Sequence, residues 1–400
     1  MLHGDFVKLL SPEGQALLAE VSLESKLDVV KTVSRLRAAG HDAGLVATVL
    51  SQAKLRARAK AKFGEFAERM FFTEDGLEQS SRLQVAALHA GRYRDAGIKQ
   101  VADLGCGIGA ESLAMAAIDL SVVAVELDEV TAACAAYNLA PFENARVVNA
   151  DVTEMPLDEF EAQFFDPARR ELGTGRQKAT RKFDPSQFSP NFDWVLEQAQ
   201  TRPTGIKLGP GHPHEAIPED CEAQWVSVNG DLVELTLWFG SLARDRVRRS
   251  ALLIENGNRH ELSSGEASQE HAPLRELGEY LFEPDNAVVR SHLIGELAKE
   301  LDLGLIAPEI AYLTGDQLVR SPWLRSFRVL ENLSFDRKKL KARLQELGIG
   351  ILEIKKRGSD VVPETLRKEL QLKGKRAATL IITRVGDSHR ALLCEATEPE

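Results

Sequence analysis

A glycine-rich stretch between a β-rich run and a helical pattern is the part of this sequence best suited to binding a ligand. It reads Val101-Ala-Asp-Leu-Gly-Cys-Gly-Ile-Gly-Ala-Glu111. Glycine allows the backbone to turn sharply beneath a ligand, and the free N–H groups at the start of the helix face that ligand. Because Gly105, Gly107 and Ala110 also match the dinucleotide fingerprint, this stretch alone does not distinguish a nicotinamide cofactor from another nucleotide.

Acidic residues near the ends of three successive β-rich runs narrow that choice. Asp103 can accept hydrogen bonds from the loop and, directly or through water, from the ammonium of a methionine moiety. With Gly109 it completes the D-x-G-x-G-x-G pattern of S-adenosylmethionine (SAM) sites. Glu126 suits the two ribose hydroxyls of either cofactor, whereas Asp151 suits the adenine amino group and favours SAM over NAD. The predicted cofactor-binding residues are Asp103, Gly105, Cys106, Gly107, Gly109, Glu126, Leu127, Asp151 and Val152.

The fourth β-rich run closes with Asp166-Pro-Ala-Arg169, where a SAM-dependent enzyme would hold the acceptor atom of its substrate. Asp166 can accept hydrogen bonds from an amine. The segment lacks the aromatic residue that stacks on the target base in amine-methylating nucleic-acid enzymes. Stacking must therefore come from elsewhere, or Arg169 lies flat on the base or binds phosphate. The predicted catalytic residues are Asp166, Pro167 and Arg169.

A basic loop, residues 169–182, follows that segment. It holds six basic residues against one acid, in a position where a phosphate-bearing substrate would enter. We therefore expect this loop to contact the substrate. The aromatic side chains that could stack on a base are Phe183, Phe188 and Trp194, although packing in the core is the favoured interpretation of each.

Other methyl-transfer chemistries need residues that the sequence supplies poorly. Methylation of pyrimidine carbon 5 needs a cysteine nucleophile, for which only Cys221 is conceivable, and a small structural residue is the alternative interpretation. Ribose methylation by a Lys-Asp-Lys-Glu set needs lysines at the fourth and fifth strands. Lys207 is present there, but no partner lysine is apparent. Methylation of a base nitrogen is the choice that remains.

The charge of the chain is unevenly distributed. The net charge is −10, yet residues 336–390 hold 15 basic and 7 acidic residues, a local charge of +8, which leaves −18 for the rest. A basic C-terminal module of this kind predicts a nucleic-acid partner, here RNA.

Composition and spacing exclude several other classes of protein. The four cysteines form no C-x-x-C pair, and the i, i+2 spacing of His212 and His214 suits a metal poorly, so we predict no metal site. We find neither a signal peptide nor an apolar run of about 20 residues. We therefore expect a cytoplasmic protein with no membrane partner.

The elements that must position these residues follow an α/β pattern. In the helical N-terminal part, Gly40 can end one helix and Asp42 can cap the next. From about residue 99, five β-rich runs alternate with helical stretches, and residues 224–239 read as an antiparallel pair on an Asn229-Gly230 turn. The predicted fold is a doubly wound, seven-stranded Rossmann-like sheet with an all-helical N-terminal domain and a small α+β C-terminal domain.

The predicted domain boundaries follow these changes of pattern. Residues 257–273 are rich in Gly, Ser, Glu and His and predict a linker. The divisions are 1–70 helical, 71–256 catalytic, 257–273 linker, 274–330 connecting region and 331–398 α+β domain.

The chain resembles the class I SAM-dependent methyltransferases, and more closely the bacterial ones with a C-terminal THUMP-like domain, which look distantly like trimethylguanosine synthase. The segments that carry the resemblance are Phe72-Thr-Glu-Asp-Gly-Leu-Glu-Gln-Ser80, Asp103 to Glu111, Ala136-Tyr-Asn-Leu139, Phe165-Asp-Pro-Ala-Arg-Arg170, Lys207-Leu-Gly-Pro-Gly211 and Glu222-Ala-Gln-Trp-Val-Ser227. The resemblance implies SAM as cofactor and a THUMP-like module at 331–398 that holds RNA.

The predicted function is therefore SAM-dependent methylation of a base nitrogen in RNA, either rRNA or tRNA. Two alternatives stay open. One is a methyltransferase of a small molecule or protein, and the other is an RNA-binding protein that binds SAM without turnover.

Overall fold

A computed structural model describes residues 3–22, 28–169, 184–265 and 272–397 of the chain. They form two compact units, one drawn from residues 1–208 and 237–243 and the other from residues 209–236 and 244–400. Within the described ranges, no helix has both the length and the apolar composition needed to cross a bilayer.

The first unit begins with a helical region, which confirms the prediction of an all-helical N-terminal part. Gly40 follows the third helix with a φ of +92°, which favours glycine. The Asp42 carboxylate caps the fourth helix by accepting a hydrogen bond from Leu45 N at 3.0 Å. The helices are α1 His3–Leu10, α2 Pro12–Ser22, α3 Val29–Ala38 and α4 Ala43–Phe63, followed by a 3-10 turn at Gly64–Arg69.

A large mixed sheet follows, in the order β11-β10-β8-β9-β7-β4-β1-β2-β3. Five strands, β3-β2-β1-β4-β7, are parallel in the doubly wound order. The helices are α5 Glu74–Gln79, α6 Leu83–Asp95, α7 Ala110–Ala116, α8 Glu129–Leu139 and α9 Phe192–Ala199. The strands are β1 Gln100–Leu104, β2 Ser121–Glu126, β3 Ala145–Asn149, β4 Ala162–Phe165, β7 Thr204–Leu208, β8 Glu222–Val228, β9 Asp231–Phe239, β10 Arg249–Glu255 and β11 Asn258–Ser264, with β5 Ala168–Arg169 and β6 Phe188–Ser189 forming a separate pair.

The sheet confirms the α/β prediction but has nine strands instead of seven. The predicted turn between β8 and β9 is present, with φ values of +50° at Asn229 and +85° at Gly230. The additional strands are β10, parallel to β8, and β11, antiparallel to β10. The predicted linker 257–273 is thus wrong over 258–264. The strand β11 lies at the edge of the sheet with mostly exposed polar residues, so its sequence lacks the apolar alternation of a strand.

The second unit also contains a seven-stranded sheet in the order β13-β14-β12-β15-β18-β17-β16. The predicted connecting region 274–330 supplies strands to this same sheet, and the predicted boundary at residue 331 lies inside β15. The strands are β12 Tyr280–Pro284, β13 Gly304–Leu305, β14 Leu313–Gly315, β15 Leu324–Ser334, β16 Ile349–Lys356, β17 Arg376–Val385 and β18 Ser388–Ala396, and the helices are α10 Asn286–Ser291, α11 Ile294–Leu301, α12 Arg337–Glu346 and α13 Pro363–Leu370.

Alternating residues of β17 divide the core of this sheet between its two faces. Leu380 and Ile382 belong to a buried cluster with Leu344 of α12 and Leu366 of α13. Ile381, between them, belongs to the opposite cluster with Tyr312 and Phe327. The alternation follows from the two-residue period of a strand.

Candidate cofactor and active site

A cavity of about 800 Å³ lies in the first unit, where the carboxyl ends of β1, β2 and β4 meet. Parallel strands bring the residues that follow them to one edge of the sheet, which explains why segments distant in sequence share this cavity. The predicted cofactor-binding residues that line it are Asp103, Gly105, Cys106, Gly107, Glu126, Leu127, Asp151 and Val152. Gly109 does not line the described cavity and instead occupies the N-cap position immediately before α7, with a φ of +86°.

The glycine loop is held closely against the neighbouring strands. Gly105 N and Cys106 N both donate to Val125 O, at 2.9 and 3.0 Å. A Cβ atom at Gly105 would lie 3.0 Å from the carbonyl oxygen of Asp166. A Cβ atom at Gly107 would meet no described atom within 4 Å, so the space above Gly107 is open to a ligand.

Asn138 of α8 holds the glycine loop in place through hydrogen bonds. These contacts give a structural role to the Ala136–Leu139 segment noted in the sequence. Its side-chain nitrogen donates to Ile108 O at 2.9 Å and to Phe71 O at 3.0 Å, and its oxygen accepts from Phe71 N at 2.8 Å. The Phe71 ring meets Phe6 of α1 edge-on, with 5.4 Å between centroids. The N-terminal helices therefore share a core with the cofactor side of the sheet.

Asp103 has the surroundings of a group that binds a cation. Its carboxylate is fully buried, with Oδ2 accepting from the Ser112 hydroxyl and Oδ1 without a hydrogen-bond partner among the described residues. Burial raises the pKa of Asp103 to about 7. A buried, unpartnered carboxylate oxygen at the cavity wall fits the ammonium of a methionine moiety.

The carboxylates of Glu126 and Asp151 are oriented by their own loops. Glu126 accepts from Gly107 N at 3.0 Å and from Asp128 N at 2.9 Å, and burial raises its pKa. Asp151 accepts from the Thr153 N–H at 2.9 Å and the Thr153 hydroxyl at 2.7 Å. A carboxylate has about four acceptor positions, so both residues keep capacity for ribose or adenine donors.

The acceptor side of the cavity holds an ion pair that sequence reasoning did not identify. The Asp166 carboxylate lies 2.6 Å from Nζ of Lys207, which belongs to the fifth parallel strand and is buried. Lys207 Nζ also donates to Gln79 O at 3.0 Å. Lys207 therefore orients Asp166 and connects it to α5 at the cavity rim.

Lys62, at the end of α4, also lies close to this site, which the sequence did not indicate. Its ammonium donates to three backbone carbonyls, Leu77 O at 2.8 Å, Glu78 O at 2.7 Å and Ser80 O at 2.6 Å. Burial, with the charges of Lys207 and Arg82, lowers the pKa of Lys62 to about 8. The two lysines together hold the Phe72–Ser80 segment of the sequence at the cavity.

Other predicted substrate residues lie elsewhere or outside the described part. Pro167 is buried and is not among the described residues that line the cavity. Phe188 packs on Phe192 with 5.5 Å between centroids, and Trp194 packs edge-on against Phe165 at 5.8 Å, so neither forms a described wall of the cavity. The Arg169 side chain, the loop through residue 182 and Phe183 lie outside the described residues.

Cys221 is a structural residue in the second unit. Its side chain is buried, Sγ lies 3.3 Å from Pro218 O, and burial raises the pKa of the thiol to about 12. A thiol in this state supplies little thiolate, which disfavours carbon-5 methylation.

His214, one of the two histidines noted in the sequence, packs against other rings. His214 stacks on His292, with 3.8 Å between centroids, and on Trp225, with 5.2 Å. Burial lowers the pKa of His214 to about 3. Among the residues that the structure describes, no group of three or more His, Cys, Asp or Glu side chains is placed to hold a metal.

The doubly wound sheet, the open glycine loop and the acidic strand ends define a class of nucleotide-cofactor enzyme. Comparison with known proteins identifies the cofactor. Two curated relatives from Mycobacterium tuberculosis, strains CDC 1551 and H37Rv, are each named uncharacterized S-adenosylmethionine-dependent methyltransferase. Each is 33% identical over 341 residues, covering 83% of this chain and 91% of the relative. The chain belongs to the SAM-dependent methyltransferases.

Two family models match parts of the chain, and one solved structure shares its fold. The THUMP domain-like family matches residues 324–396, and a domain of unknown function (DUF8688) matches residues 3–59. A crystal structure assigned as a methyltransferase from Porphyromonas gingivalis W83 has the same fold, with a TM-score of 0.72 and 19% identity, covering 96% of this chain and 98% of that one.

SAM is the methyl donor, and the cavity fits it. The unpartnered Asp103 oxygen suits its ammonium, while Glu126 and Asp151 would hold ribose and adenine. The cofactor supplies a methyl group already activated on a sulfonium. The chain's own residues would then act mainly by positioning the acceptor atom, and the Asp166–Lys207 pair lies where the sequence predicts that atom to be held.

Proposed function

We propose that this methyltransferase modifies a base nitrogen in rRNA or tRNA. The observation that carries the proposal is a set of exposed lysines in the THUMP-like region that make no ion pair with another described residue. We expect a THUMP-like domain to hold structured RNA, and the positive charge of residues 336–390 supports the same partner.

Some basic residues of this region are committed to internal contacts. Arg337 pairs with Glu369 at 2.8 Å, Arg343 pairs with Glu331 at 2.6 Å, and Lys355 pairs with Glu283. Another group of basic residues is exposed and makes no ion pair with another described residue. The lysines among them, the exposed lysine set, are Lys338, Lys339, Lys356, Lys368, Lys373 and Lys375.

Lys341 of α12 indicates that several of these lysines lie near one another. Its Nζ lies 3.1 Å from the Gln371 side-chain oxygen, so α12 lies beside the segment after α13. Lys338 and Lys339 begin α12, and Lys373 and Lys375 follow Gln371. Clustered cations release counterions from a nucleic-acid backbone, which makes binding favourable and salt-dependent.

Asp166 supports a nitrogen acceptor. Its carboxylate lies in the cavity wall after β4 and can accept a hydrogen bond from an amine N–H. Lys207, 2.6 Å away, fixes the orientation of the carboxylate. The protein thereby aligns the nitrogen lone pair with the methyl group, and positioning accounts for the rate.

The test is mass spectrometry of rRNA and tRNA nucleosides from a deletion strain and its parent. We expect one base-methylated nucleoside to disappear and to return with the wild-type gene but not with Asp166→Ala. An unchanged nucleoside profile would overturn the proposal. Loss of a ribose-methylated nucleoside would retain RNA but overturn the nitrogen assignment.

A further inference from the structure

A second buried carboxylate, Glu111, lines the cofactor cavity and has no role so far. It lies in the first turn of α7 and is 5% exposed. Its Oε2 lies 3.2 Å from Nδ1 of His89, while its Oε1 is buried without a hydrogen-bond partner among the described residues. The cavity wall thus presents two such oxygens, Glu111 Oε1 and Asp103 Oδ1.

Two unpartnered carboxylate oxygens in one buried wall favour a cationic ligand. Leaving such oxygens dry and unpaired is costly, and the charge of Glu111 contributes to the raised pKa of Asp103. Lys207 is the one basic side chain among the described residues of the lining, and its Nζ pairs with Asp166 at 2.6 Å. Glu111 Oε1 and Asp103 Oδ1 have no basic hydrogen-bond partner among the described residues, so a cationic ligand would complete this wall.

His89 holds the Glu111 side chain in place. The imidazole lies on α6 between Phe164 and Trp238, with centroid distances of 5.5 and 5.4 Å. Its contact with Oε2 leaves Oε1 as the acceptor that remains for a ligand. His89 is thus a positioning residue that acts through Glu111.

We propose that Glu111 and Asp103 together bind the methionine ammonium of SAM, with Glu111 as a direct ligand. An ammonium has three N–H donors and can serve two carboxylates, whereas hydroxyl or amide donors would leave both negative charges uncompensated. The ribose and adenine partners, Glu126 and Asp151, follow other strands. This inference depends on the cofactor and is independent of the RNA substrate.

The experiment is calorimetry with two ligands, S-adenosylhomocysteine and 5′-methylthioadenosine, which lacks the amino-acid part. For Glu111→Gln we expect the Kd of S-adenosylhomocysteine to rise about 10-fold or more, as for loss of a charge-assisted hydrogen bond, and the Kd of 5′-methylthioadenosine to change less than about 2-fold. Glu143→Gln, at an exposed carboxylate outside the described cavity lining, is the matched control and should change neither Kd.

Equal losses for both ligands would mean that Glu111 only maintains the cavity, and would overturn the proposal, as would no loss for either. If Glu111→Gln does not fold, Glu111→Asp replaces it. The wild-type chain gives a further measurement with S-adenosylhomocysteine lacking its amino group. That ligand should bind at least about 10-fold more weakly than the parent, and equal binding would overturn the ammonium assignment.

Discussion

The cofactor cavity and the THUMP-like region use charge in opposite ways. Nine of the ten charged residues that line the described cavity are acidic, and two of their carboxylates are buried with an unpartnered oxygen each. The THUMP-like region is rich in basic residues, several of which are paired with acids at the surface. A count of charges therefore overstates what is open to a ligand in the second region, whereas in the first the unpartnered oxygens show where a cation can bind.

The largest expected effect tests whether SAM occupies the open space above Gly107. Gly107→Val places a branched side chain where SAM approaches the backbone, at a φ of +55° that valine rarely adopts. Calorimetry should detect no SAM binding. Gly91→Ala on α6, whose Cβ would meet only one side-chain atom at 4.0 Å, should bind normally. Retained SAM affinity in the valine variant would place the cofactor elsewhere.

The next effect concerns the acceptor side of the cavity. Asp166→Ala should reduce methyl transfer by about 100-fold or more while SAM affinity changes only a few-fold, because its contact with the acceptor develops in the transition state. Calorimetry and single-turnover rates separate the two quantities. Wild-type turnover in this variant would remove Asp166 from the mechanism.

The third effect concerns the THUMP-like region. Changing the exposed lysine set to Gln should reduce the slope of log binding constant against log salt concentration. We expect the steepness for RNA binding to fall by about 0.7–0.9 for each phosphate that the variant no longer neutralises, with little change in melting temperature. Arg337→Gln and Arg343→Gln, which break ion pairs, should instead act mainly on melting temperature. If the paired arginines flatten the slope as much as the exposed lysines, the distinction between the two groups is wrong.

The adjacent residues Lys355 and Lys356 of the THUMP-like region allow the same comparison between a paired and an exposed basic residue. Lys355 pairs with Glu283 and lies 5.7 Å from the centre of the Phe327 ring, whereas Lys356 is exposed. Lys355→Glu should therefore destabilise the fold, and Lys356→Glu should mainly weaken RNA binding. Thermal melts and filter binding would show this reversal, and identical behaviour would contradict it.

The smallest effect follows from the pKa of Asp103, about 7 in the folded chain against an ordinary 3.8. The ammonium prefers the ionised carboxylate, so SAM affinity should rise by up to about tenfold per pH unit between pH 5.5 and 7. Without ligand, the free energy of unfolding should change in the opposite direction to SAM affinity. The folded chain holds a proton on Asp103 more tightly than the unfolded chain does, and the stability that this gives is lost as pH rises from about 4 to 7. Calorimetry across this range should show the rise in the wild type, and Asp103→Asn should abolish it.

Local patterns determined much of this protein. The glycine loop, Asp103, Glu126 and Asp151 were predicted to share one site, and residues of all four line one cavity because parallel strands bring their carboxyl ends to a common edge. The break between α3 and α4 was also predicted, since Gly40 has a positive φ and the Asp42 carboxylate caps the next helix.

Only the tertiary structure decided the contacts that complete the site. Lys207 meets Gln79 across 128 positions of sequence, and His89 meets Glu111 across 22, so no local spacing indicates either contact. Strand β11 was missed because an edge strand needs no apolar alternation. Sequence alone determined which residues could bind the cofactor. Packing decided which of their oxygens stay unpartnered, because burial and hydrogen bonding are properties of the folded chain.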